Sequence, residues 1–151
     1  MNNKLNIIID VSGSMSENGK KDIVTYAYDT INNLLDDKKY NKEKIILSKW
    51  QDEESKMKKV FNFEFDNSYT TEEFKKYFKD DNKPKSNIIL SDGSIELKNI
   101  LKNKDENTKC IFIKIGMDAD ILGITKYISK SDIYDVCDIV TAFDKAYNYV
   151  Y

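Results

Sequence analysis

The chain has 151 residues, 40% hydrophobic and 33% charged, which fits a single globular domain over residues 1–151. Lysine and arginine total 24 against 26 acidic residues, so the net charge of -2 gives no reason to expect a nucleic acid partner. The sequence has no histidine, which excludes Ser-His-Asp or Cys-His catalysis and a histidine-ligated zinc ion within the chain.

The sequence predicts a cytoplasmic protein with no membrane partner. It contains neither the apolar core of a signal peptide nor a run of 18 apolar residues. Cys110 and Cys137 each lie in an apolar stretch. That setting predicts two buried, reduced thiols rather than a disulfide.

The first half of the chain begins with Leu5 to Val11, which is apolar on both faces, as in a buried parallel strand. After a loop rich in glycine and serine, apolar residues at steps of three and four predict a helix ending near residues 36–39. Lys44 to Trp50 is the next predicted strand. Phenylalanines then alternate with polar residues over 61–65, which predicts an antiparallel edge strand paired with the strand before it.

The second half alternates short strands with short helices. Helices are predicted over 70–79, 97–101, 121–128 and from about 140, and strands over 87–90, 110–115 and 133–137. This order is typical of a doubly wound, Rossmann-like α/β fold. We therefore expect a mostly parallel central sheet of about six strands, with one antiparallel edge strand and helices on both faces.

Oxygen-bearing side chains follow two of the predicted strands. Asp10, Ser12 and Ser14 alternate after the first strand, and Gly13 lets the backbone curl so that their oxygens converge. Asp92 follows the strand over 87–90. These are hard ligands that suit Mg²⁺, Mn²⁺ or Ca²⁺. If the two strands are neighbours, a divalent cation would also relieve the repulsion between Asp10 and Asp92.

The segments Asp10-Val11-Ser12-Gly13-Ser14-Met15 and Ser91-Asp92-Gly93 resemble the von Willebrand factor type A (vWA) domain with its metal-ion-dependent adhesion site. The resemblance covers essentially the whole chain and is closest to stand-alone intracellular bacterial members. It implies that Ser12 and Ser14 hold the ion directly, while Asp10 and Asp92 coordinate it directly or through water.

The family has a further threonine ligand in a middle loop, often next to paired glycines that this chain lacks. We assign this role to Thr70. Ser68 and Thr71 remain alternatives, and either threonine could instead cap the following helix.

The resemblance implies a metal-dependent protein-binding module rather than an enzyme. A Glu or Asp of a separate partner protein would fill the open position on the ion. Bacterial members commonly work with AAA+ ATPases or in multi-protein stress and defence systems, so the chain is expected to be an adaptor of this kind.

Two other classes of function compete with this interpretation. A Mg²⁺-dependent phosphohydrolase or nuclease could use Asp10 and Asp92, although a dehalogenase-type phosphotransferase would need a carboxylate where Ser12 lies. A scaffold that binds no metal would use Ser12 and Ser14 only as helix caps. Asp118 and Asp120 lie in a loop on the same expected face and are interpreted as caps of the next helix.

Overall fold

The computed structural model describes residues 4–17, 19–51, 63–80, 82–84, 86–117 and 119–150. Within these residues the strands are β1 (Leu5–Asp10), β2 (Ile45–Trp50), β3 (Asn67–Tyr69), β4 (Ser86–Ser91), β5 (Lys109–Lys114) and β6 (Ile133–Asp135). The helices are α1 (Lys20–Leu35), α2 (Thr71–Tyr77), α3 (Ile95–Leu101), α4 (Ile121–Ile124) and α5 (Ile139–Val150). In the described part of the chain, no helix combines the length and the apolar character needed to cross a lipid bilayer.

The strands form one sheet in the order β3-β2-β1-β4-β5-β6, and every pairing among the described residues is parallel. The chain builds outward from β1 in one direction through β2 and β3. It then returns to the other side of β1 and builds outward through β4, β5 and β6. The predicted doubly wound α/β fold is thus confirmed, and its topological switch point lies between β1 and β4.

β1 lies in the middle of the sheet and carries apolar side chains on both faces. All six of its residues are buried. Leu5, Ile7 and Ile9 belong to the core on one face, while Ile8 belongs to the core on the other. A parallel strand covered by helices on both faces requires this pattern.

Each face of the sheet has its own hydrophobic core. One core packs against α1 and α5, through Val24, Ala27, Ile31, Phe143 and Ala146. The other packs against α2, α3 and α4, through Phe74, Leu97 and Ile124, and it contains the buried Trp50 from the end of β2. The helices therefore flank the sheet and leave the carboxyl ends of its strands for loops.

The antiparallel edge strand expected over 61–65 is not found among the described residues, where the edge strand beyond β2 is the parallel β3. Phe61 and Asn62 lie outside the described residues. Phe63 stacks on Tyr28 of α1, with ring centroids 4.1 Å apart. The Tyr28 hydroxyl donates to the Glu64 carbonyl at 3.0 Å and accepts from the Glu64 amide at 3.1 Å. A helix side chain thus satisfies backbone groups that strand pairing would otherwise have used.

The two cysteines differ in exposure. Cys110 is buried in β5, and burial raises the pKa of its thiol to about 12. Cys137 is exposed, so the prediction of burial is wrong for this residue. β6 ends at Asp135 and a single 3-10 turn (Val136–Asp138) follows, which breaks the strand alternation expected to continue through Cys137.

Candidate metal site at the switch point

The candidate site lies where β1 and β4 end side by side. Ile9 pairs with Leu90, so Asp10 and Ser91 are the next residues on adjacent parallel strands. Ligands of open α/β sheets bind outside the carboxyl ends of the strands at such a switch point. The strand adjacency on which the predicted pairing of Asp10 with Asp92 depended is therefore present.

Asp10 is fully buried, and three hydrogen bonds hold its carboxylate. Oδ1 accepts from the Ser12 amide at 2.9 Å and from the Ser12 hydroxyl at 2.5 Å. Oδ2 accepts from the Ser91 hydroxyl at 2.7 Å. The pKa of Asp10 is raised to about 7, mainly by burial. The hydrogen bonds from Ser12 and Ser91 lower this pKa, while the charge of Asp92 raises it. The carboxylate is well oriented but poorly neutralised by the protein.

The loop after β1 presents its two serine hydroxyls together. Ser12 precedes a short 3-10 helix (Gly13–Ser16), but its side chain makes no capping hydrogen bond there. The Ser12 and Ser14 hydroxyl oxygens lie 3.4 Å apart. Met15 is fully buried and packs into the core, which anchors the loop. Ser12 is thus turned toward Asp10 rather than used as a cap.

Asp92 follows Ser91 and is about nine-tenths buried. Its Oδ2 accepts from the Lys20 ammonium at 3.2 Å. Its Oδ1 is buried and has no hydrogen-bond partner among the described residues. An unsatisfied buried carboxylate oxygen costs free energy, and a ligand supplied from outside the chain would remove that cost.

The backbone beside Asp92 is held by the loop after β5. The Asp92 carbonyl accepts from the Asp120 amide at 3.1 Å. Gly93 has a φ of +78°, and a Cβ at that position would lie 3.2 Å from the Asp120 carbonyl oxygen. A glycine is therefore required for this close approach of the two loops.

Thr70 follows the short edge strand β3 and caps α2. Its hydroxyl accepts from the Glu73 amide at 3.2 Å, while the Glu73 carboxylate accepts from the Thr70 amide at 2.8 Å, which completes a capping box. In the described part of the chain, no hydrogen bond joins Thr70 to the Asp10 cluster. Of its alternatives, Thr71 accepts from the Trp50 indole at 3.3 Å, and Ser68 is exposed on β3. The assignment of Thr70 as a metal ligand stays a prediction.

The remaining acidic candidate of this face is a cap. Asp120 accepts from the Gly123 amide at 3.0 Å and begins α4, as its capping interpretation predicts. Its carboxylate also pairs with Lys98. Asp118 lies outside the described residues.

The residues present fit a hard divalent cation. In the described part of the chain, no group of three or more histidine, cysteine or acidic side chains is placed to hold a metal ion. The switch point has two carboxylates and neighbouring hydroxyls. Asp92 Oδ1 has no partner among the described residues, and the Lys20 ammonium donates to Asp92 Oδ2. Such oxygen ligands suit Mg²⁺ and Mn²⁺, and also Ca²⁺.

Sequence reasoning missed two residues of this site. The Ser91 hydroxyl links two parts of the site, because it donates to Asp10 Oδ2 and accepts from the Gly93 amide at 3.2 Å. The signal that could have found it is a hydroxyl at the carboxyl end of a buried strand next to β1. No local pattern in the sequence distinguishes Lys20 from the neighbouring Lys21.

Comparison of the sequence with models of known protein families gives no match, and comparison with functionally characterised proteins gives none either.

Proposed function

We propose that this chain is a vWA-type domain whose adhesion site binds a partner protein through a divalent cation. The observation that carries the proposal is the convergence of Asp10, Ser12, Ser14 and the unsatisfied Asp92 at one switch point. Ser12 and Ser14 would hold the ion with Asp10 and Asp92 around it, and Thr70 is the proposed middle-loop ligand. The ion is Mg²⁺, with Mn²⁺ or Ca²⁺ as alternatives.

The same geometry favours binding over catalysis. Asp10 is fully buried and accepts three hydrogen bonds, so its carboxylate is placed to orient Ser12 rather than to attack a substrate. When bound, the ion would supply an electrophilic position for an oxygen ligand from outside. The chain's own residues position that opening at the surface formed by the strand ends.

The proposed partner presents an Asp or Glu to this opening. A carboxylate brings both a lone pair and a negative charge, whereas a lysine or arginine would be repelled by the ion. The family resemblance implies that the partner is an AAA+ ATPase or another component of one bacterial multi-protein system, with the chain acting as a cytoplasmic adaptor. Neither a nucleic acid nor a membrane is proposed as a partner.

Thermal unfolding with MgCl₂ or MnCl₂ against EDTA tests the proposed metal site. A ligand at ten times its Kd stabilises the folded state by about 1.4 kcal/mol, which corresponds to a shift of roughly 3–6 °C for a domain of this size. The double variant Ser12→Ala with Ser14→Ala should lose the shift. Ser16→Ala is the matched control, because Ser16 lies in the same loop and its hydroxyl donates to the Gly13 carbonyl.

Affinity capture in Mg²⁺ and in EDTA tests the partner. We expect one protein whose capture needs the cation and the serine pair, and whose binding is lost when a single Asp or Glu of that partner becomes alanine. A complex that persists in EDTA and tolerates loss of every interfacial carboxylate contradicts the proposal. Turnover of generic phosphoesters that needs both Mg²⁺ and Asp92 would instead favour the hydrolase alternative.

A further inference from the structure

Lys20 lies inside the candidate site although it is a lysine at the start of a helix. Its side chain is 3% exposed, and its ammonium lies 3.2 Å from Asp92 Oδ2. Lysine is almost never buried to this extent unless it is paired. Lys20 is also the first residue of α1, where the helix dipole disfavours a positive charge. The adjacent Lys21 is exposed. The ion pair with Asp92 offsets this unfavourable position of the Lys20 ammonium.

The charges around Lys20 explain why a cation belongs there. Asp10 and Asp92 approach closely enough for the charge of Asp92 to raise the pKa of Asp10. A positive group between or beside two such carboxylates lowers their mutual repulsion. Lys20 contacts one oxygen of Asp92, while the other oxygen stays without a partner among the described residues. The site thus contains a cation, but one that satisfies it incompletely.

We infer that Lys20 is a tethered competitor of the divalent cation: its ammonium neutralises Asp92 in the metal-free protein and leaves Asp92 when a metal ion binds. The inference rests on the proposed metal site and adds a regulatory element to it. A divalent ion and an ammonium next to the same carboxylate repel each other. Metal binding therefore has to displace Lys20, and the affinity of the wild-type protein for metal is lower than its oxygen ligands alone would give.

This competition also couples the metal to the partner. With the ion bound and Lys20 still near by, the two carboxylates leave the site with one excess positive charge. A carboxylate from the partner neutralises that excess, so partner and metal strengthen each other's binding. The chain would then hold metal weakly when alone and tightly in the complex.

Calorimetric titration with MnCl₂ of the variant Lys20→Met tests the competition directly. Methionine keeps an unbranched apolar stem without the charge. We expect Lys20→Met to bind Mn²⁺ at least tenfold more tightly than wild type, and Lys21→Met, the matched control, to bind as wild type does. The double variant Lys20→Met with Asp92→Asn should lose the gain, because the carboxylate released by the first change is removed by the second.

The outcomes separate this inference from the proposed function. Equal or weaker binding by Lys20→Met, with wild type binding Mn²⁺, overturns the inference and leaves the metal site standing. If Lys20→Met binds Mn²⁺ and wild type does not, the inference is supported. The proposed metal loading of the wild-type chain is then contradicted, because Lys20 itself occupies the cation position. Absence of binding in both proteins overturns both.

A measurement on the unaltered protein avoids dependence on the folding of the variant. Lysine acylation by an amine-reactive ester, quantified by mass spectrometry, should be slow at the buried Lys20 in EDTA. Saturating MnCl₂ should raise acylation of Lys20 several-fold while that of Lys21 stays constant. Unchanged or lower reactivity of Lys20 in a sample that binds Mn²⁺ would show that the ammonium is not displaced, and would overturn the inference.

Discussion

Replacing Asp10 with asparagine should stabilise the metal-free protein above neutral pH while removing its response to metal. Burial is the main reason that the pKa of Asp10 is raised from 3.8 to about 7 in the folded chain. A carboxyl whose pKa is higher in the folded than in the unfolded state contributes its full stabilisation at pH values below its pKa in the unfolded state. That contribution is lost as the pH rises through the folded value.

The size of the effect follows from this difference in pKa. It corresponds to about 4 kcal/mol of stability lost well above pH 7, since one pKa unit is worth about 1.4 kcal/mol. Between pH 5 and pH 8 the loss amounts to roughly 2–3 kcal/mol. Asparagine has nearly the same shape and can still accept from the Ser12 amide and hydroxyl, but it carries no charge to bury. The Asp10→Asn variant should therefore lack this part of the pH dependence.

Urea unfolding in EDTA at pH 5, 6, 7 and 8 measures the effect. The stability of Asp10→Asn relative to wild type should rise by roughly 2–3 kcal/mol across this range. Asp22→Asn is the control, because it makes the same chemical change at an exposed position in the first turn of α1. In MgCl₂ the wild type should gain stability and Asp10→Asn should not. A stability difference that stays constant from pH 5 to pH 8 would refute the assumed cost of burying this carboxylate.

Two further variants test Ser91 and Thr70. Ser91→Ala should destabilise the protein by about 1–3 kcal/mol in chemical unfolding, because it leaves a buried carboxylate oxygen and the buried Gly93 amide without their hydroxyl partner. A loss below about 0.5 kcal/mol, roughly the scatter of exposed sites, would mean that the hydrogen bonds of the Ser91 hydroxyl contribute little to stability. Thr70→Ala should cost about 1 kcal/mol through loss of the α2 cap, and calorimetry should show weaker Mn²⁺ binding as well. Unchanged Mn²⁺ affinity would leave Thr70 with the capping role alone.

Local patterns in the sequence predict most of the fold because they report burial along single elements. The apolar run of β1 and the helical spacing in α1 each place their elements to within a few residues. The alternation of strands with helices then leaves few arrangements besides a doubly wound sheet. Local patterns are not sufficient over 63–65, the described part of the expected edge strand, because a strand-like alternation also suits a segment that packs its phenylalanines on a helix. Only the contact with Tyr28, more than thirty residues earlier in the chain, decides between the two.

Some contacts of the candidate site can be predicted from the sequence, and others depend on the tertiary structure. The sequence by itself determines the cluster of Asp10, Ser12 and Ser14, since these residues follow one another within five positions at the end of β1. The tertiary structure alone decides that β1 and β4 are neighbours, which brings the Ser91 hydroxyl onto Asp10 and the charge of Asp92 near it. It alone decides that Lys20, rather than Lys21, meets a carboxylate 72 residues further along the chain. Backbone conformation is set by near neighbours, whereas charge pairing in a buried site depends on packing between elements that are distant in sequence.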